Sequence, residues 1–306
     1  MARSPYGFWY RFVAAVLKPP LLLLTKREWQ GMEHIPAEGG FVTAVNHNSY
    51  LDPVAYAHFQ YNTGRPPRFL AKSSLFHIAG VGTVLRGMKQ IPVYRDSADA
   101  AKAFRAAVDA VGRGECVAVY PEGTLTRDPD LWPMAGKTGV ARIALMTGAP
   151  VIPVAQWGAH QVVPRWIRGA AGPEGKFRVR LFPRATLRVL AGPPVDLSEF
   201  RDRELNADVL RAATDRIMDA VTELLAELRG EEPPGVRFDM RASGAATRAQ
   251  LSGEPAGRPD APATNQASTA SDAPLAPEAG LAPEKGSDDA GTPRAVHETD
   301  GEGISR

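Results

Sequence analysis

Short apolar, β-branched segments alternate with helical patterns between Phe41 and Gly192, and this alternation limits the possible folds more than any other feature. The candidate strands are Phe41–Val45, Arg68–Ala71, Gln90–Tyr94, Val117–Tyr120, Val151–Gln156, Arg178–Phe182 and Thr186–Leu190. The candidate helices between them are Asp52–Gln60, Ala98–Gly112 and Thr138–Thr147. Strands separated by helices form parallel or mixed sheets that are covered on both faces. We therefore predict an α/β fold with a mixed, mainly parallel sheet, whose last two strands form an antiparallel hairpin.

The C-terminal part of the chain divides into two regions. Residues 201–229 show the apolar periodicity of one long amphipathic helix. Beyond Gly230 the sequence consists mainly of Ala, Pro, Gly, Ser, Thr and acidic residues, which cannot bury enough apolar surface to fold. We predict a folded domain over residues 29–230, which begins with a loop to Gly40, and a disordered acidic tail over residues 231–306.

Residues 1–28 are predicted to form a separate, membrane-anchoring segment. Residues 5–25 are aromatic and apolar with basic residues around them, a pattern typical of a helical segment that lies in one leaflet. The pair Pro19-Pro20 should break the helix, and no apolar run reaches the roughly 18 residues that a spanning helix needs. We also expect no signal peptide, because no small-residue cleavage site follows the four leucines at 21–24. A helix packed on the protein's own core is the alternative.

The charge distribution and the single cysteine exclude some classes of protein but do not identify one. Of 36 basic and 34 acidic residues, 7 and 13 follow residue 230, so residues 1–230 have a net charge of +8. A basic body can attract nucleic acid, anionic lipid or phosphorylated substrates. The only cysteine, Cys116, excludes an intrachain disulfide, and its position before an apolar strand predicts a buried structural thiol in a reducing compartment.

The segment Asn46–Asp52 joins the first candidate strand to a helix that Pro53 opens. A histidine that leaves a buried strand can act as a general base if a carboxylate holds one of its ring nitrogens. Asp52 is the candidate partner of His47. Residues i and i+5 point about 140° apart on a regular helix, so the pair requires His47 to lie in the turn. In the alternative interpretation His47 packs under a loop and Asp52 caps the helix.

A second polar segment follows the strand Val117–Tyr120, where strand ends in α/β sheets bind ligands. There Glu122 could accept a hydrogen bond from a substrate hydroxyl, Gly123 would allow close backbone approach, and Thr124 could donate to a phosphate. An ordinary turn with a surface acid is the alternative.

Two further segments complete the pattern. Arg95 follows the strand Gln90–Tyr94 and could grip a phosphate through its planar guanidinium, and Lys72 could add a point charge. The segment Val151–Val154 contains Pro153, which favours an edge or floor strand.

These four segments, in their order along the chain, resemble the motifs of the glycerolipid acyltransferase family of the lysophosphatidate acyltransferase type. The flanking segments Gly31–Pro36, Phe69–Phe76 and Gly192–Val195 are similar to the family as well, and the resemblance covers roughly residues 29–228. It implies a glycerol-3-phosphate acyltransferase-like fold. It also implies a cell-membrane enzyme, peripheral or monotopic on the cytoplasmic face, that contacts the membrane surface and binds no nucleic acid.

The resemblance further implies transfer of an acyl group from acyl-CoA or acyl carrier protein to the free hydroxyl of a lysophospholipid phosphate. His47 would take the hydroxyl proton while Asp52 orients the imidazole. Arg95, together with Glu122, Gly123 and Thr124, would hold the glycerol phosphate. No metal and no cofactor other than the acyl donor are expected.

One position departs from the family, because the motif Pro-Glu-Gly-Thr-Arg has Leu125 in place of arginine. Arg127, two residues later, and Lys137 are candidate replacements. Other acceptors, among them glycerol 3-phosphate, a lyso-glycolipid or an acyl amino-acid lipid, remain open. A hydrolase that uses Ser49 lacks the expected Gly-x-Ser-x-Gly elbow, and a non-catalytic lipid-binding module would not require His47 or Asp52.

Overall fold

The computed structural model describes residues 6–94, 100–164 and 179–240. The strands in these residues are β1 (Lys26–Gln30), β2 (Phe41–Val45), β3 (Pro67–Lys72), β4 (Ile91–Val93), β5 (Cys116–Val119), β6 (Val151–Trp157) and β7 (Thr186–Ala191). The α-helices are α1 (Phe8–Leu24), α2 (Asp52–Asn62), α3 (Val81–Gly87), α4 (Ala100–Gly112), α5 (Gly139–Thr147), α6 (Ala159–Val162), α7 (Ser198–Arg201) and α8 (Ala207–Arg229). Short 3-10 helices cover Met32–His34 and Ser73–His77.

The strands form one sheet in the order β1-β7-β6-β2-β5-β3-β4. Every neighbouring pair is parallel except β6 and β7, which are antiparallel. The prediction of a mixed, mainly parallel sheet is therefore confirmed. The carboxyl ends of β2, β3 and β5 lie at one edge of this sheet, and the segments that follow them carry the candidate site residues.

The sheet buries side chains on both faces. On β5, Val117 and Val119 pack in the same cluster as residues of α4, α5 and α8. Cys116 and Ala118 pack in the cluster of the opposite face with Tyr56 of α2. This alternation is the two-residue period of a strand, and burial on both faces explains why the central strands β2, β5 and β6 are mainly apolar. The Cys116 thiol is free and buried.

The predicted hairpin between the last two candidate strands is wrong. Residues 179–182 form no strand, and Arg178 lies outside the described residues. β7 pairs instead with β6 and β1, where Leu187 and Val189 are fully buried, whereas Phe182 is largely exposed. The predicted loop from Trp29 to Gly40 is also interrupted, because β1 extends to Gln30 and crosses the proposed domain boundary at residues 28 and 29.

Pro153 lies in an interior strand, not in an edge strand, because β6 runs between β2 and β7. Its carbonyl oxygen accepts a hydrogen bond from Gly192, just past the last paired residues of β7. In a strand, the backbone nitrogen and oxygen of one residue point to the same neighbouring strand. The nitrogen of Pro153, which carries no hydrogen, therefore points towards β7, at the position where the hydrogen bonds between β6 and β7 end. The proline therefore removes no hydrogen bond between β6 and β2.

Helix α1 continues from Phe8 to Leu24 without the break that was predicted at Pro19-Pro20. It is fastened to the domain, since the Trp9 ring packs over Gly87 and the Gln90 side-chain amide donates to the Tyr10 hydroxyl at 2.8 Å. None of its described residues is fully buried. In the described part of the chain, α1 and every other helix fall short of the length or apolarity needed to cross a bilayer.

The predicted helix 201–229 starts later than expected, because Arg201 ends α7, residues 202–206 are not helical, and α8 begins at Ala207. The side chain of Asn206 caps α8 by accepting from Val209 N–H at 2.9 Å. Ordered contacts continue past Gly230. Ala135 N–H donates to the Phe238 carbonyl at 3.0 Å, and the Arg237 guanidinium contacts Asp219. We call residues 231–240 the C-terminal arm. The folded part thus extends beyond the predicted boundary, and residues 241–306 lie outside the described residues.

Candidate active site

The loop between β2 and α2 brings His47 and Asp52 together. Nδ1 of His47 lies 3.0 Å from Oδ2 of Asp52. The same oxygen accepts hydrogen bonds from the backbone N–H groups of Asn48 (2.5 Å) and Ser49 (2.7 Å). The loop is therefore wrapped around the carboxylate, and this non-helical path is what lets residues five apart meet. With Nδ1 held by a carboxylate, Nε2 is the nitrogen left for an incoming hydroxyl.

Burial differs between the two partners. Asp52 is 1% exposed, whereas the His47 side chain keeps 16% of its surface. Burial raises the pKa of Asp52, and the hydrogen bonds from His47, Ser49 and Asn48 oppose that rise by favouring the carboxylate. Asp52 is thus buried behind the imidazole of His47, and the imidazole faces the cavity. A general base that is oriented by an acid needs this arrangement, because the base must reach the substrate and the acid must not.

The ring of Tyr120 packs against one face of the His47 imidazole. Its ring stacks on His47 with centroids 4.2 Å apart and planes 25° apart. Burial raises the pKa of Tyr120 well above its ordinary value, so the hydroxyl stays neutral. The ring of Phe69 in β3 also stacks on Tyr120, with ring centroids 6.2 Å apart. The sequence analysis included Tyr120 only as the end of a strand, and its position beside His47 follows from the pairing of β5 with β2.

Asn46 and Gln156 join the ends of β2 and β6 through reciprocal hydrogen bonds. The Asn46 side chain donates to the Gln156 carbonyl at 3.0 Å and accepts from Gln156 N–H at 2.7 Å. The Gln156 side chain donates to the Asn46 carbonyl at 2.8 Å. These bonds fix the residue that immediately precedes His47. A polar residue at the end of each of two apolar strands was the sequence signal that could have revealed this pair.

The structure gives Glu122 a different position from the one predicted. Glu122 is 1% exposed, and its two carboxyl oxygens accept from the backbone N–H groups of His47 (2.8 Å) and Met134 (3.0 Å). Burial raises the pKa of Glu122 to about 8, against the effect of those two amides. The side chain thus holds the His47 loop instead of pointing at a substrate. Thr126 N–H adds a second link by donating to the His47 carbonyl at 2.7 Å.

A cavity of about 1230 Å³ opens beside His47. Five predicted site residues line it: His47, Lys72, Gly123, Thr124 and Arg127. Lys137 lines the same cavity, whereas Asp52 and Glu122 are buried behind its wall. Arg95 lies outside the described residues.

The rest of the cavity wall is mainly apolar. Helix α1 contributes Val13, Leu17 and Leu21, and α2, β3, α4 and α5 contribute further aliphatic and aromatic side chains. A long apolar pocket with a histidine and cations in its wall can accept a molecule with a hydrocarbon chain and an anionic head.

Ser49 is not arranged as a nucleophile. It is buried, its hydroxyl donates to the Val163 carbonyl at 2.6 Å, and it accepts from Leu51 N–H at 3.0 Å. These bonds hold the loop, so the geometry does not favour the hydrolase alternative.

The comparisons with known proteins agree with the geometry. A family model described as Acyltransferase matches residues 26–157, which include every predicted site residue. Residues 26–157 of the chain are thus similar to the acyltransferase family. The chain is 26% identical over 218 residues to the 1-acyl-sn-glycerol-3-phosphate acyltransferase of Bacillus subtilis, a match that covers 70% of this chain and 96% of that protein. A protein of the same name from Borreliella burgdorferi is 34% identical over 125 residues, which are 40% of this chain and 48% of that one.

A solved structure supports the fold of this chain. The chain matches the crystal structure of the 1-acyl-sn-glycerophosphate (LPA) acyltransferase PlsC from Thermotoga maritima with a TM-score of 0.53 and 23% identity. The match covers 74% of this chain and 81% of that one. The chain accordingly has a mixed α/β sheet similar to the fold of that protein.

Proposed function

We propose that this acyltransferase moves a fatty acyl group from acyl-CoA or acyl carrier protein to the free hydroxyl of 1-acyl-glycerol 3-phosphate, which gives phosphatidic acid for phospholipid biosynthesis. The observation that carries the proposal is the position of His47, held by the buried Asp52, in the wall of a large apolar cavity that is also lined by four basic side chains, Lys18, Lys72, Arg127 and Lys137. The names of the relatives in Bacillus subtilis and Borreliella burgdorferi support the same acceptor.

In this mechanism His47 acts as the general base. Nε2 takes the proton of the acceptor hydroxyl while the oxygen attacks the thioester carbonyl, so that a C–O bond forms and the C–S bond breaks. The imidazolium then returns the proton to the departing thiolate. Asp52 stabilises the imidazolium and keeps the proton on Nδ1, and Tyr120 limits rotation of the ring. The acyl group passes directly from donor to acceptor, without an acyl-enzyme.

The polar part of the cavity suits the acceptor's phosphate. Lys72, Arg127 and Lys137 supply positive charge, and the Thr124 hydroxyl can donate a hydrogen bond. The side chains from α1 suit the hydrocarbon chain, because burying apolar surface gives roughly 25 cal/mol per Å².

Helix α1 supports a place at the membrane surface. Phe8 is 70% and Leu23 72% exposed, and Phe12, Val16 and Leu22 are exposed as well. Exposed aromatic and leucine side chains on a helix with basic neighbours favour insertion into one leaflet of an anionic membrane. We propose that the enzyme lies on the cytoplasmic face of the cell membrane, with the opposite side of α1 forming the cavity wall.

The test is thioester consumption by the wild type, His47→Ala and Asp52→Asn with oleoyl-CoA and lysophosphatidic acid, following free thiol and lipid product together. The wild type should form phosphatidic acid, and His47→Ala should lose about 10²–10⁴ in rate while its thermal unfolding stays unchanged. Thiol release without acylated lipid would contradict the acceptor assignment. Equal activity of the folded variants and wild type would contradict the catalytic pair.

A further inference from the structure

Lys137 lies directly across the turn that contains Gly123. Gly123 has φ +70°, and a Cβ built there would lie 2.9 Å from Cε and 3.1 Å from Nζ of Lys137. The lysine chain therefore fills the space beside the glycine α-carbon. Lys137 N–H also donates to the Pro121 carbonyl at 2.8 Å. The backbone of Lys137 is thus hydrogen-bonded to the turn formed by residues 121–124, and its side chain packs against that turn.

The ammonium group of Lys137 has no competing acid on this turn. Glu122, the nearest acid in sequence to Gly123, directs its two oxygens at the amides of His47 and Met134. Within the described ranges 6–94, 100–164 and 179–240, no ion pair involves Lys137. A cation that lines a cavity and lacks an internal counter-charge is available for an anionic ligand.

Arg127 is placed differently. It follows Thr126, whose N–H donates to the His47 carbonyl, and its own N–H contacts the Met134 sulfur at 3.1 Å. Its side chain is exposed and also lines the cavity, but the three atoms nearest to a Cβ built on Gly123 all belong to Lys137. Leu125, at the position of the family's arginine, contributes an apolar side chain to the cavity wall.

We propose that Lys137 binds the acceptor's phosphate in place of the arginine that the family motif has at the position of Leu125. This inference rests on the proposed function, because it assigns the phosphate of that acceptor to one residue. The close approach of Lys137 to Gly123 brings its charge beside Thr124 and one residue from Glu122, which holds the His47 loop. A phosphate bound there lies next to the segment that positions the base.

The test measures binding separately from chemistry. The full-length protein in detergent micelles, without acyl donor, is titrated with lysophosphatidic acid and with monoacylglycerol of the same chain, which lacks the phosphate. The main variant is Lys137→Met, because methionine keeps an apolar chain over Gly123 and removes the charge. Lys137→Arg is the conservative variant, and Lys89→Ala is the control, since Lys89 is exposed and does not line the cavity.

We expect the wild type to prefer the phosphorylated lipid and Lys137→Met to reduce that preference roughly tenfold to hundredfold, as expected for loss of one charge-assisted hydrogen bond. Lys137→Arg and Lys89→Ala should retain it. The proposal is overturned if Lys137→Met keeps the full preference, if the wild type shows none, or if Arg127→Ala abolishes it while Lys137→Met does not. A preference that depends on Lys137 in a protein that acylates no lysophosphatidic acid would contradict the proposed function alone.

Discussion

Oε1 of Glu122 accepts a 2.8 Å hydrogen bond from the backbone N–H of His47, so the turn after β5 holds the loop after β2. The other oxygen accepts from Met134 N–H in the long segment before α5. One buried side chain therefore connects three parts of the chain at the carboxyl edge of the sheet. In the proposed mechanism this arrangement makes Glu122 a positioning residue for His47, and the contact with the acceptor phosphate is assigned to the cations that line the cavity.

The first prediction concerns this positioning role. Glu122→Ala leaves the buried N–H of Met134 and the partly buried N–H of His47 without acceptors, and a buried N–H without a partner costs about 1–3 kcal/mol. We expect a lower urea midpoint and a kcat reduced roughly tenfold or more, because the His47 loop loses its fixed position. The KM for the acceptor should change little. A variant with normal kcat and a raised acceptor KM would instead support the substrate-binding role predicted from the sequence.

The second prediction is a dependence of stability on pH. Burial raises the pKa of Glu122 from 4.5 to about 8, and Asp52 and Asp128 contribute to the rise. Between these pH values the folded protein keeps a proton that the unfolded chain has lost. The free energy of unfolding should therefore fall as pH rises from 4.5 to about 8, by at most about 1.4 kcal/mol per pH unit from this group.

Glu122→Gln supplies the control for that pH dependence, since its amide does not titrate. Urea unfolding of both proteins at several pH values should show the wild type losing stability relative to the variant as pH increases. A constant difference between the two across this range would show that Glu122 has an ordinary pKa in the folded protein.

Sequence patterns predicted the central strands well because those strands are buried on both faces. β2, β5 and β6 are mainly apolar, and burial at every position except Trp157 leaves a signal that local analysis detects. β1 has the sequence Lys-Arg-Glu-Trp-Gln and lies at an edge, where only its pairing with β7 makes it a strand. Its charged residues carry no local strand signal.

The site residues also differ in how well the local sequence predicts their positions. His47 and Asp52 are five residues apart, so the sequence could suggest their contact, and the structure brings them together. The positions of Glu122 and Tyr120 beside His47 depend on β5 pairing with β2, more than seventy residues away in the chain. Nothing in the local sequence decides whether the Glu122 side chain points into the cavity or at a neighbouring loop.

The third prediction concerns the stacking of Tyr120 on His47. Tyr120→Phe keeps the ring, and we expect near-normal kcat. Tyr120→Leu removes an aromatic contact worth about 0.5–1.5 kcal/mol, which should lower kcat roughly twofold to tenfold. Steady-state kinetics at saturating donor and acceptor, with thermal unfolding measured in parallel, distinguish this effect from a general loss of stability. Equal kcat for the Phe and Leu variants would argue against ring orientation.

The fourth prediction concerns the exposed face of α1. Phe8→Ser and Leu23→Ser together remove two large, exposed apolar side chains without touching the cavity. Because burial of one such side chain is worth about 1.5–3 kcal/mol, the double variant should bind vesicles of anionic phospholipid at least roughly tenfold more weakly. Vesicle flotation at two salt concentrations measures this binding.

A double variant on residues of similar character elsewhere provides the comparison for that experiment. Val179→Ser and Val236→Ser also change exposed apolar residues, but they lie outside α1. These substitutions should leave the flotation unchanged. Loss of vesicle binding in both double variants would mean that binding does not depend specifically on α1.

The last prediction concerns the C-terminal arm. Phe238 accepts from Ala135 N–H, Ala135 follows Met134, and Met134 donates to Glu122, so the arm is connected through adjacent residues to the support of the His47 loop. The guanidinium of Arg229, at the end of α8, stacks between the rings of Trp132 and Trp157 at 4.0 and 4.5 Å. The segment that carries Met134 is therefore held by the end of α8 and by the arm together.

Truncation after Met240 should leave activity and unfolding unchanged, whereas truncation after Gly230 removes the arm and should lower both. The expected loss of stability is about 1–3 kcal/mol, because Ala135 N–H loses its acceptor and Asp219 loses its ionic partner. Arg237→Ala separates the two contacts, since it removes the ion pair and leaves the Phe238 carbonyl in place. If truncation after Gly230 retained full activity and the wild-type urea midpoint, the arm would have no part in holding the Met134 segment, and Glu122 and Arg229 alone would be enough to position it.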